Sequence, residues 1–173
     1  NPMYLNRLKN DRHHQTENEL KTDAKKVTNI LITELPKVFK KKKLERPVVC
    51  LIPRAKSSSS YTSDQLLFSK AVSEAVDATN GLKNGTNWIN RMKPTQTTHL
   101  RYSNSYYDEG VSPYAGITKD TCIIDPKVKG RNIILVDDIY TTDVNIIEDS
   151  LQALLEAGAK TVTSYVVAKT KKH

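Results

Sequence analysis

The apolar residues of this chain fall into two patterns: unbroken runs, and spacings of three or four. Short unbroken runs bounded by polar residues are what strands covered on both faces require. They occur at 47–53 and 133–136, with a shorter one at 122–124, and the more mixed run 161–168 supplies another strand. Helical spacing begins at Glu17, where Leu20, Ala24, Val27, Leu31, Leu35, Val38 and Phe39 recur on one side. Pro36 is expected to kink or restart that helix. The spacing returns over 64–79 with Leu66, Leu67, Ala71, Val72 and Val76, and from Ile147 with Leu151, Leu154, Leu155 and Ala157. Gly158 stands where the last helix should stop. Asn80-Gly81 and Asn84-Gly85 predict turns, and 86–92 a short strand. Residues 1–16 are polar and mixed, and adjacent His13 and His14 cannot share a helix face to hold a metal. The expectation is an α/β fold, an open and mainly parallel sheet flanked by helices. A helical segment over 1–43 would pack on an α/β domain of 44–173.

The densest chemistry lies over 131–145. There an apolar strand drives into two carboxylates, Asp137 and Asp138, followed by Tyr140, Thr141 and Thr142 and then a helix. A carboxylate pair at a strand's end can accept hydrogen bonds from vicinal hydroxyls such as those of a ribose. A turn leading into a helix offers N–H groups, hydroxyls and the positive end of the helix dipole to a phosphate. Successive strand residues point to opposite faces, so both aspartates reach one site only where the strand ends and twists. Structural caps are the bland alternative for both.

Ile-Leu-Val-Asp-Asp-Ile-Tyr-Thr-Thr, residues 134–142, resembles the phosphoribosyl-diphosphate motif of type I phosphoribosyltransferases, nearest the ComF-like branch. The resemblance covers 131–145 closely and 47–168 in layout. It implies a magnesium-dependent transfer of a phosphoribosyl group with release of pyrophosphate. Asp137 and Asp138 would act catalytically on the ribose hydroxyls and hold Mg2+ through water. Tyr140, Thr141, Thr142, Asp143 and Asn145 would form the 5′-phosphate loop. The family usually has Gly where this chain has Asp143, and often Thr where it has Asn145. Two readings of Asp143 stand. As a helix N-cap it stabilises by about 1 kcal/mol. Within the anion site, about 4 Å from a phosphate charge, it costs roughly 4 kcal/mol per charge pair at an effective dielectric near 20.

Two further stretches complete the expected site. Arg54-Ala-Lys-Ser, after the first core strand, corresponds to the family's pyrophosphate loop, through Arg54, Lys56 and Ser57. A serine run also marks an ordinary linker. The polar, tyrosine-rich stretch 93–121 corresponds to a flexible hood over the substrate; Arg91 just before it, Lys93 or Arg101 would neutralise pyrophosphate, with an ordinary surface position as the alternative for each.

Composition narrows the setting. The chain has 173 residues, enough for one domain with a sizeable core. No run approaches the roughly 20 apolar residues of a membrane span, and nothing resembles a signal peptide, so a cytoplasmic protein is expected. Cys50 and Cys122 sit in apolar stretches and read as buried thiols. The sequence opens on Asn1, which leaves room for a preceding segment. Formal net charge is +8, densest over 37–46, which suits polyphosphates, nucleic acid or an acidic partner. A solvated helix end explains the same lysines. A homo-oligomer is expected, and the alternative to an enzyme is a degenerate relative in a regulatory, nucleic-acid-binding, DNA-uptake or defence role.

Overall fold

A computed structural model describes residues 2–11, 14–95, 116–140 and 145–169. The expectations for Thr141, Thr142, Asp143, Arg101 and the hood over 96–115 lie outside the described residues.

Strands β1 (Val48–Leu51), β2 (Lys83–Gly85), β5 (Asn132–Tyr140) and β6 (Thr161–Lys169) form a parallel sheet in the order β2-β1-β5-β6. Strands β3 (Ile89–Arg91) and β4 (Cys122–Ile124) pair antiparallel as a second, small sheet. Alternation along the central strands feeds two cores. Val49, Leu51, Ile134 and Val136 face a layer of helices α1 (Met3–Lys9), α2 (Glu17–Lys41) and α3 (Leu67–Asp77). Val48, Cys50, Ile133 and Leu135 face α4 (Ile146–Glu156) and the small sheet. The predicted α/β architecture, a mainly parallel sheet with helices on both sides, is the one observed. Cys50 and Cys122 are both free and buried. Burial, with Asp125 nearby, pushes the Cys50 thiol up to about 12.

The structure departs from the expectations at four places. Residues 3–9 form α1, whose Leu5 and Leu8 are each only 1 % exposed. An Arg7 guanidinium donates to both Asp23 oxygens, at 2.6 and 2.7 Å, and ties α1 to α2. Seven residues with two buried leucines give too short a period to stand out. Helix α2 runs unbroken through Pro36; the carbonyl that proline leaves without its partner is that of Ile32, on the exposed side. Asn84-Gly85 lies in β2 rather than in a turn, because the Asn84 amide donates to Ser73 Oγ at 2.8 Å and Asp77 Oδ1 at 2.9 Å on α3. A Cβ on Gly85 would meet Val48 Cγ1 at 2.5 Å, so this glycine serves close packing. Leu155 is 46 % exposed, leaving Leu154 to anchor α4.

Both long helix endings that lead into core strands use the same device. After α4, Gly158 takes φ +93°, its N–H donates to Leu155 O, and the Ala159 N–H reaches Leu154 O. After α2, Lys43 takes φ +51° and the Lys43 and Leu44 N–H groups reach Lys40 O and Phe39 O. Both are Schellman closures, one on the expected glycine and one on a lysine.

Candidate functional site

Connections from the two central strands leave in opposite directions. β1 crosses through α3 to β2 on one side, and β5 crosses through α4 to β6 on the other. Their helices accordingly cover opposite faces. Between β1 and β5 lies the switch point, and open α/β sheets bind ligands in the crevice beyond the strands' carboxyl ends at such a point. β1 pairs with β5 only as far as Leu51 with Val136, after which β1 turns away. β5 continues against β6 to Tyr140, so Asp137 and Asp138 lie where β1 no longer covers them.

The strand does not end at the aspartates, as the sequence suggests; it holds Asp137 and Asp138 as its sixth and seventh residues and runs on to Tyr140, its ninth and last. The two carboxyl groups nevertheless meet. Asp137 Oδ1 accepts from the Asp138 N–H at 2.8 Å, and Asp138 Oδ1 from the Ile139 N–H at 2.7 Å. Asp137 keeps part of its surface at solvent, yet burial is the larger influence on it. Burial, and after it the charge of Asp138, push its carboxyl well above the usual carboxylate range, partly offset by backbone donation and by Lys9. Lys9 Nζ lies 3.2 Å from Asp138 Oδ2. This lysine comes from α1, far from β5 in sequence, and no local sequence signal points to it.

The loop after β1 is held from the same N-terminal segment. Arg54 Nη1 donates to Lys9 O at 3.1 Å and Gln65 O at 2.8 Å, and Nη2 to Asp11 Oδ1 at 2.5 Å. Its guanidinium also stacks 4.2 Å from the centre of the Tyr61 ring. The Tyr61 hydroxyl accepts from the Lys56 N–H at 3.1 Å. Ser57 Oγ lies 3.0 Å from Ser59 Oγ. Arg91 is buried, donating from Nε to Arg54 O at 3.2 Å and from Nη1 to Gly116 O at 2.9 Å. Burial lowers its pKa, so its charge is held by these acceptors rather than by water. Arg91 thus supports the Arg54 backbone from behind.

On the helix side, the Tyr140 hydroxyl donates to Glu148 Oε1 at 3.0 Å, which raises the Tyr140 pKa. Asn145 is exposed and caps α4 through its backbone, its carbonyl accepting from the Asp149 N–H at 2.9 Å. The structure therefore gathers Asp137, Asp138, Lys9 and Arg54 around the Lys9–Asp11 stretch. It sets Arg91 behind the loop and turns Tyr140 toward α4. Among the described residues no group of three or more His, Cys, Asp and Glu could hold a metal alone. Mg2+ keeps several waters and uses one or two carboxylates plus ligand phosphates, so the aspartate pair fits it as a partial donor set. Among the described residues no helix is long and apolar enough to cross a membrane.

No family model matches the sequence, and no curated protein matches it. Among solved structures, one described as a glutamic acid mutant in an analysis of an invariant aspartic acid in HPRTs is similar at 16 % identity. The match has a TM-score of 0.40 and covers 91 % of this chain and 80 % of that one. A likeness of that degree decides neither family nor activity.

Proposed function

We infer that the chain is a phosphoribosyltransferase-like protein that binds phosphoribosyl diphosphate or a nucleotide 5′-phosphate in the β1/β5 crevice. The transfer releases pyrophosphate. The observation that carries this reading is the Asp137–Asp138 pair at the switch point, on a strand joined to α4 by a stretch of sequence rich in hydroxyls. The aspartates accept from the ribose hydroxyls and would hold Mg2+ through water. Tyr140 and Asn145, with Thr141, Thr142 and Asp143 between, border the 5′-phosphate, and Arg54, Lys56 and Ser57 lie toward the pyrophosphate, with Arg101 assigned there from sequence. Mg2+ supplies charge that stabilises the leaving group. The setting is a cytoplasmic homo-oligomer in which 1–43 supports the 44–173 domain.

Arg54 favours a second reading, a protein that keeps the fold and has lost the chemistry. Its guanidinium is already engaged by Asp11, two carbonyls and Tyr61. Calorimetric titration with ribose 5-phosphate, and with phosphoribosyl diphosphate plus Mg2+, tests both. Binding that weakens at least tenfold in Asp137→Asn supports the site. Equal binding by parent and variant rejects it. Binding absent in the parent and restored in Asp143→Gly identifies the second reading, as does binding without pyrophosphate release over a panel of nucleobases.

A further inference from the structure

A parallel sheet collects all its strand beginnings on one edge, here opposite the β1/β5 crevice. Register aligns Val48 with Lys83 and with Ile133, and Asn132 with Thr161. At or just before these beginnings stand Arg46, Lys83, Arg131 and Lys160, all exposed. Backbone bonds keep them adjacent: the Lys83 N–H donates to Pro47 O at 3.0 Å, and the Lys160 N–H to Arg131 O at 2.8 Å. Helix α2 ends at the same edge, since residues 44–47 suffice to join its closing turn to β1, and it adds exposed Lys40, Lys41, Lys42 and Lys43.

Lys83 lies 5.5 Å from the centre of the Trp88 ring. The other side chains of this set make no ion pair or hydrogen bond among the described residues. The charge of a helix end accounts for Lys40 and Lys41, which lie in the last turn of α2. It does not account for cations at the heads of separate strands. Glu45, exposed beside Arg46, offsets one of these charges, and Asp125 is held by Lys127 at 2.9 Å.

We propose that this edge docks the phosphate backbone of duplex DNA. B-DNA presents one charge per about 1.7 Å of axis, and lysines and arginines binding it release its counterions. Single strands are gripped by stacking on aromatic rings, and no Phe or Trp is among the exposed large hydrophobic residues described. Duplex RNA is told from DNA through its 2′-hydroxyls. The polar groups here that could read them are engaged, Thr161 Oγ1 with Asn132 Oδ1 and the Asn132 amide with Glu45 O. Charge alone remains, and it suits a backbone. This surface is independent of the crevice reading.

Fluorescence anisotropy of the full chain with a labelled 20-base-pair DNA duplex tests it. With four phosphate contacts, affinity should fall roughly 100-fold between 50 and 200 mM salt. The combined variant Lys40→Gln, Lys42→Gln, Arg131→Gln and Lys160→Gln should bind at least tenfold more weakly at 50 mM, with a flatter salt dependence. A charge-keeping variant (Lys40→Arg, Lys42→Arg, Arg131→Lys, Lys160→Arg) should bind as the parent does. Lys25→Gln with Lys70→Gln, on the α2–α3 groove, should change nothing. The proposal is overturned if the glutamine variant binds like the parent, or if the groove variant loses as much. Tighter binding of single-stranded DNA, duplex RNA or polyglutamate also overturns it.

Discussion

Asp137 carries a carboxyl whose ionised form the fold disfavours. Its carboxyl is pushed upward by burial and by Asp138, so the native state holds the proton to higher pH than the unfolded chain does. Its contribution to stability is full below the ordinary carboxylate range and is lost as pH rises through the raised value. Asp137→Asn should therefore stabilise the protein more at pH 8 than at pH 4, measured by urea denaturation, while ligand affinity in the crevice falls. A variant equally stable at both pH values relative to the parent would contradict this account. The aspartate pair was legible in the sequence because two carboxylates closing an apolar run form a local pattern. Lys9, Asp11 and Gln65 were not, since each meets its partner only after the chain has folded back on itself.

At the level of elements, the legible pieces were those with a sustained period. β1, β6, α3 and α4 fell where runs and spacings put them, and β5 began there but ran four residues past its apolar run. Short α1 and the three-residue β2 did not, because tertiary contacts rather than local pattern decide them. The α2 ending offers a direct test. Lys43 sits in the left-handed region that glycine adopts freely, so Lys43→Gly should stabilise the protein by about 1 kcal/mol in urea denaturation. At the other end of α2, Thr16 Oγ1 accepts from the Glu19 N–H, and Glu19 Oε2 accepts from the Thr16 N–H. Donation to Glu19 Oε2 by the Thr16 hydroxyl, at 2.7 Å, and then by the Thr16 N–H holds the Glu19 pKa below its ordinary value. The reciprocal cap is intact above that ordinary range and is lost as pH falls through the lowered pKa. Thr16→Ala should cost about 1 kcal/mol at pH 7 and less at pH 3, an effect that comparing denaturation midpoints would show.

Across the whole molecule, α1 and α2 share one core with the sheet rather than forming a core of their own. Urea unfolding should then be a single transition, coincident by far-UV circular dichroism and by fluorescence of Trp88, the sole tryptophan, on the opposite face. Leu8→Ala should shift both signals together and cost about 3 kcal/mol; separate transitions would mark 1–43 as an independent unit. The nine residues of β5 have a consequence for occupancy. From Arg131 at its head to Asp138 near its tail is about 23 Å at roughly 3.3 Å per residue, more than twice the roughly 8 Å over which charge is felt in physiological salt. A polyanion seated at one pole and a sugar phosphate at the other would barely sense each other's charge, so both could be loaded at once, and any communication between them would have to travel through movement of the strand itself.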